Sequence, residues 1–284
     1  SLIEGAWPTD AKLKAAREVT FDELQSFSAT LLSQVDPVML AHGNLTEASA
    51  LNLARQIDAL VLGDSELAQV ERSQVRQLPD NETKVSIEVD HPDTGYTLYM
   101  QGDNTSFEER ARFRLLAQII SSPFYEEIRT NRQLGYIVYA TAFEMLETPA
   151  LGFVVQSPSA TRAEIDQAVQ EFSNSFEETL TALTPERLDR EKKAVISKLL
   201  ERDRQLGDIS SRYWREIDRG MDSFDSRQQL ANAVEQVSQQ ALFETFRKAV
   251  LERAQSLQVV TGGDGLEANR ALGRLTELPP VPAS

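Results

Sequence analysis

Two histidines, one glycine-rich turn, three carboxylate pairs and an arginine–tyrosine junction are the groups in this chain whose types and spacing could do chemistry. A zinc hydrolase aims two imidazoles at one ion from positions i and i+4 of a helix. Neither His42 nor His91 has such a partner: His42 follows the apolar run 38–41, and His91 precedes Pro92 in a turn. Both read as structural or exposed, so no histidine zinc site is expected here. The absence of cysteine removes disulfides, thiolate nucleophiles and cysteine-ligated zinc. Gly263-Asp264-Gly265-Leu266-Glu267-Ala268 has the outline of a dinucleotide fingerprint. The residues after it, ending in Pro279-Pro280-Val281-Pro282, supply neither the second strand nor the acidic partner that such a site needs. Those glycines read as a tight turn. The pairs Glu108-Glu109, Glu126-Glu127 and Glu177-Glu178 fall in helix first turns or on helix faces, where the dipole or solvent accounts for them. No G-x-S-x-G elbow is present.

The junction is the unusual feature. From Phe124 to Val138 an amphipathic helix runs directly into an apolar strand through Gln133-Leu134-Gly135, leaving Arg129 and Tyr136 on either side of the turn. One reading is structural: Arg129 offsets the negative helix C-terminus and Tyr136 is a core aromatic with a satisfied hydroxyl. The other is functional: a guanidinium and a phenol at one sheet edge donate hydrogen bonds to peptide carbonyls.

The elements that position them follow from periodicity. Thr20 with Glu23 forms a capping box ahead of a helix carrying Leu24, Phe27 and Leu31, followed by a strand at 38–41 and a helix at 46–60. Residues 83–90 alternate as a strand, Pro92 to Gly95 turn, and 96–101 form a second strand, so a hairpin is expected. A helix from Ser106 carries Phe113, Leu116, Ile120, Phe124 and Ile128, with Ser122-Pro123 breaking or restarting it. The apolar runs 134–143 and 150–156 read as central strands. Helices follow at 161–180, 185–202, 209–219 and from 238, and a last strand at 257–260 closes the sheet. The fold class is α+β: a mostly antiparallel sheet with helices packed on one face.

The grammar of helix, strand, glycine turn and helix occurs twice, with Gly43-Asn44 and Glu47-Ala48 answered at one common offset by Gly263-Asp264 and Glu267-Ala268. This suggests a duplicated domain: residues 1–65 end one copy, 66–72 link, and 73–284 form a complete second copy. The 284 residues carry 44 acidic against 29 basic side chains, a formal charge of −15 that would repel a polyanion, so nucleic acid is not an expected partner. No apolar run is long enough for a membrane span.

The segment Arg129-x-x-x-Gln133-Leu134-Gly135-Tyr136 closely resembles a motif of the pitrilysin/insulinase family of zinc peptidases. The resemblance extends in the family's order through Leu31-Leu32-Ser33-Gln34, His42-Gly43-Asn44, Gln118-Ile119-Ile120-Ser121, residues 152–157 and Tyr213-Trp214-Arg215-Glu216-Ile217. It implies four homologous domains in two halves that close around a peptide, with residues 1–65 ending the third domain and 73–284 forming the fourth. Zinc, and the glutamate that activates its water, would then lie in an N-terminal half outside this chain, which would hold no cofactor and be inactive alone. The resemblance gives Arg129 the substrate backbone and gives Tyr136, the catalytic member, the scissile carbonyl. The partners it implies are the N-terminal half and a peptide substrate, in a periplasmic or secreted enzyme, the cytoplasm being the alternative because a chain without cysteine tolerates either compartment. The alternative is a stand-alone binding or scaffold subunit of a paired assembly. Residues 144–149 depart from the glycine-bearing turn of the family.

Overall fold

Six helices start where a hydroxyl side chain closes the first turn. Thr20, Thr46, Ser106, Thr161, Thr184 and Ser238 each accept the backbone N–H three residues on, at 3.1–3.3 Å, satisfying donors that a helix N-terminus otherwise leaves open. At Thr20 and Thr161 the glutamate three residues on returns the contact to the cap's own N–H at 2.8 Å.

The computed structural model describes residues 2–63, 65–262 and 279–282. In chain order the elements begin α1 (Thr9–Glu18), α2 (Phe21–Thr30), β1 (Gln34–Val35), α3 (Glu47–Ile57) and β2 (Glu66–Leu67). They continue with β3 (Glu82–Ile87), β4 (Thr94–Gln101), α4 (Phe107–Tyr125), β5 (Ile137–Met145) and β6 (Thr148–Ser157). Next come α5 (Arg162–Thr181), α6 (Pro185–Leu199), α7 (Leu206–Asp218), α8 (Ser226–Gln236), α9 (Gln239–Phe246) and β7 (Ser256–Thr261). Single π-helical stretches extend α3, α4 and α9.

Contacts divide the chain into two units. One comprises Gly5–Ser73 and Arg202–Phe224; the other comprises Leu2–Glu4, Gln74–Glu201 and the residues from Asp225 onward. In the first unit, the run 38–41 forms no strand; the ladder there is the two-residue parallel pair β1–β2. α7 belongs to this unit because His42 Nδ1 lies 2.8 Å from Ser210 Oγ and the His42 ring meets Tyr213 edge-on at 5.2 Å. None of the residues of α1, α2 or α3 is buried.

The second unit is a five-stranded sheet in the order β3-β7-β4-β6-β5, antiparallel except for the parallel pair β3–β7. Four sequence expectations change here. Strands β3 and β4 are not a hairpin, because β7 inserts between them. Accordingly β7 does not close the sheet but sits inside it. Strand β5 is an edge, not a central strand: Val138 and Ala140 point into the core while Ile137 and Tyr139 stay exposed. Pro123 does not break α4, because Phe124 and Ile128 continue the buried stripe of Phe113, Leu116 and Ile120 into the π-helical stretch. Helix α8, which buries Leu230 and Val234, had no sequence expectation. The expected turn and helix over 263–275 lie outside the described residues.

One sheet face carries the main core, where Leu98, Met100, Phe153 and Val155 meet α4, α5 and α9. Phe124 and Phe153 stack there at 4.5 Å, with Phe172 edge-on to Phe124. The other face is covered at one end by Leu2, Val75 and Leu78 packing on Tyr99, Ala150 and Leu257. The opposite end of the sheet is where β4 and β5 begin and β6 and β7 finish.

Candidate functional site

Register builds that end. Thr261 pairs with Gly95, Gly95 with Gln156, and Gln156 with Ile137, so one row crosses four strands. Asp93 stands just ahead of β4 and Tyr136 just ahead of β5, one on each side of the end of β6.

The helix-to-strand turn has a separate reason at each motif position. Gln133 ends the helix in the left-handed region at φ 53°, and Leu134 N–H donates to the Ile128 carbonyl at 3.1 Å, a helix-closing bond. Gly135 passes so close to β6 that a Cβ there would lie 2.6 Å from the Gln156 carbonyl oxygen. The next residue then joins the ladder, Tyr136 N–H donating to Gln156 O at 3.0 Å. Arg129 donates from Nη1 to the Gly135 carbonyl at 3.0 Å, tying the π-helical stretch to the strand it feeds. Arg132 is held apart by Glu127 at 2.7 Å and Glu171 at 2.6 Å.

Tyr136 is not a core aromatic: its side chain is half exposed, and its hydroxyl donates to Asp93 Oδ2 at 2.8 Å. Gln156 Nε2 donates to the same oxygen at 3.2 Å. Asp93 N–H donates to His91 Nδ1 at 3.1 Å. The Asp93 carboxylate, by accepting the phenol's hydrogen bond, pushes the Tyr136 pKa above its ordinary value, so the phenol remains a donor. Gly262 backs the loop at φ 67°, where a Cβ would lie 2.2 Å from the Asp93 carbonyl oxygen.

The structure therefore sets both residues singled out in the sequence, Arg129 and Tyr136, on the two sides of one turn. It adds Asp93, Gln156 and Gly262, which local sequence signals do not reveal because sheet order alone brings them in. Chemically, the end of the sheet offers a protonated phenol at an exposed edge. His42 and His91 are engaged locally, with Ser210 and the Asp93 backbone. Among the described residues no group of three or more His, Cys, Asp or Glu could hold a metal ion, so these residues do not fit a zinc site. Glu109 and Glu127 of the carboxylate pairs are taken up by Arg112 and Arg132.

Residues 115–214 match the family described as PQQ synthase PqqF-like, C-terminal lobe domain 4. Protease 3 of Escherichia coli K12 is 26% identical over 270 residues, covering 92% of this chain and 27% of that protein. Human insulin-degrading enzyme is 28% identical over 231 residues, covering 79% of this chain and 23% of that enzyme. The crystal structure of pitrilysin superposes with a TM-score of 0.81 at 25% identity, over 94% of this chain and 29% of that one. The chain is thus similar to a peptidase C-terminal lobe over residues 115–214, and to pitrilysin and insulin-degrading enzyme over most of its length. It spans about a quarter of the length of the curated relatives it matches.

Proposed function

We propose that this chain is the non-catalytic, substrate-gripping region of a zinc metalloendopeptidase, closing a chamber over a peptide whose bond is cut by an N-terminal half. The observation that carries the proposal is the Tyr136 phenol, protonated and half exposed at a sheet edge, in the arginine–tyrosine motif of a chain with peptidase relatives. In this reading Tyr136 is the catalytic residue of the region: its O–H bonds to the scissile carbonyl as that oxygen gains charge, an interaction that strengthens toward the transition state. Arg129 holds substrate backbone through guanidinium N–H groups other than the one used on Gly135. Zinc, supplied by the other half, would provide the nucleophile.

Residues 1–65 are, in the same proposal, the end of a preceding homologous domain, 66–72 a linker and 73–284 the next domain in the chain, although Leu2–Glu4 and Arg202–Phe224 group across that division. The apolar residues of the first unit support this. Phe21, Phe27 and Leu60 are 76%, 61% and 84% exposed, a surface of the kind that ordinarily meets a partner. We assign the protein to the periplasm or the extracellular space, as the resemblance to the peptidase relatives suggests, with the cytoplasm as the alternative.

The test is to assay the chain for zinc and peptide cleavage alone, then mixed with a zinc-bearing N-terminal half of a relative. Cleavage restored only in the mixture supports the proposal; stoichiometric zinc with cleavage by the chain alone contradicts it.

A further inference from the structure

The Tyr136 hydroxyl carries one proton, and at rest it is spent on Asp93 Oδ2 at 2.8 Å. A carbonyl arriving at Tyr136 must take that proton's hydrogen bond from Asp93. The carboxylate is built to survive the loss, since Gln156 Nε2 remains on the same oxygen at 3.2 Å. Its backbone is fixed as well. The Asp93 N–H is held by His91 Nδ1 at 3.1 Å, and Gly262 packs where any side chain would meet the Asp93 carbonyl. Asp93 itself is nearly covered, its side chain 13% exposed, whereas the phenol it holds is half exposed. One partner is thus anchored and the other is free to swing.

We propose that Asp93 is a positioning residue for Tyr136: it holds the phenol at the sheet edge as an aimed donor and hands it to the substrate carbonyl. This rests on the role proposed for Tyr136 above. No covalent step is involved; one hydrogen bond is exchanged for another, and the proton stays on the phenol oxygen. Asp93 is the charged group acting on the phenol, with His91 beside it, Nδ1 lying 3.9 Å from Asp93 Oδ1. Arg129, on the same turn, is directed to the Gly135 carbonyl.

Two measurements test it on Asp93→Asn, which keeps an acceptor but no charge, and Asp93→Ala, which keeps neither, once circular dichroism has shown both folded. First, the chain alone is labelled with 13C at tyrosine Cζ and the Tyr136 resonance is followed against pH. The titration midpoint should fall toward that of free tyrosine in both variants; an unchanged midpoint overturns the inference. Second, kcat and KM are measured with the zinc-bearing half added. Asp93→Ala should lower kcat by about ten- to a hundredfold with KM within a few-fold, and Asp93→Asn should recover most of that loss. If Tyr136→Phe lowers kcat while Asp93→Ala does not, the positioning role alone is overturned. If Tyr136→Phe changes nothing, the role of Tyr136 falls and the positioning role falls with it, whatever the titration shows.

Discussion

Tyr136 and Asp93 stand 43 residues apart in the chain and 2.8 Å apart in the fold. The approach is a consequence of strand order. Gln156, at the end of β6, pairs with Gly95 on one side and Ile137 on the other, so the residues just before β4 and β5 become neighbours across it. A hairpin of adjacent strands would not bring them together. The site thus depends on register, and any change that shifts β5 against β6 displaces the phenol.

Gly135 is where that register is most exposed to test. Gly135→Ala places a methyl 2.6 Å from a backbone oxygen and 2.9 Å from Val155, neither of which is the free end of a flexible side chain. The strand must move, at a cost of about 2 kcal/mol. Urea unfolding should show the midpoint reduced at unchanged slope, and the Tyr136 resonance should shift in the folded variant. An unchanged midpoint and resonance would mean that the close approach does not set the position of Tyr136.

A partly buried network on the helix-covered face gives a pH dependence of stability. Arg253 donates to Glu82 at 2.7 Å and to Asp166 at 2.8 Å, and Tyr96 donates to Asp166 at 2.8 Å. Burial raises the Asp166 pKa, but the Arg253 charge and the bonds from Arg253 and Tyr96 outweigh it, and the net shift is downward. The folded pKa therefore lies below the unfolded value of about 3.9. The stabilisation is complete above that value and is lost as pH falls through the folded pKa. Asp166→Asn should cost about 2 kcal/mol at pH 6, less than a fully buried pair because the carboxylate is partly exposed. Wild type and variant should converge as the pH falls through the folded pKa of Asp166. A gap independent of pH would contradict the ion-pair account.

The β5–β6 turn departs from the glycine-bearing form, and the structure gives the consequence. Leu146 and Glu147 both occupy the left-handed region, at φ 43° and 66°, in a two-residue loop between paired Met145 and Thr148. Such turns favour asparagine and glycine. Leu146 packs on the second core, and Glu144, just before the turn, bonds Arg110 at 2.9 Å and Arg114 at 2.8 Å, so tertiary contacts hold the strained loop.

The helices and the class of the fold were largely legible in the sequence, because caps and apolar stripes are local signals: Thr20 with Glu23 and Phe113 through Ile128 form the elements their spacing predicts. Strand partners were not. The pairing of Glu82 with Ser256 inserts β7 between two strands that read as a hairpin, and nothing near either residue announces it. The run 134–143 was misread as central because its exposed positions, Ile137 and Tyr139, are as apolar as its buried ones. At the site, Arg129 and Tyr136 were found through a motif. Asp93 sits in a Pro-Asp-Thr-Gly stretch that says only turn, and its partners, Gln156 on β6 and Tyr136 ahead of β5, are brought to it by strand order.

The central claim is that the Tyr136 hydroxyl serves the transition state, and the most direct measurement is the kinetics of Tyr136→Phe with the zinc-bearing half present. The substitution keeps the ring and removes one donor. The account predicts kcat lower by about a hundredfold, as for other single oxyanion donors, with KM changed by less than about threefold, the pattern of an interaction made in the transition state. Unchanged kcat, or a rise in KM alone, would contradict it.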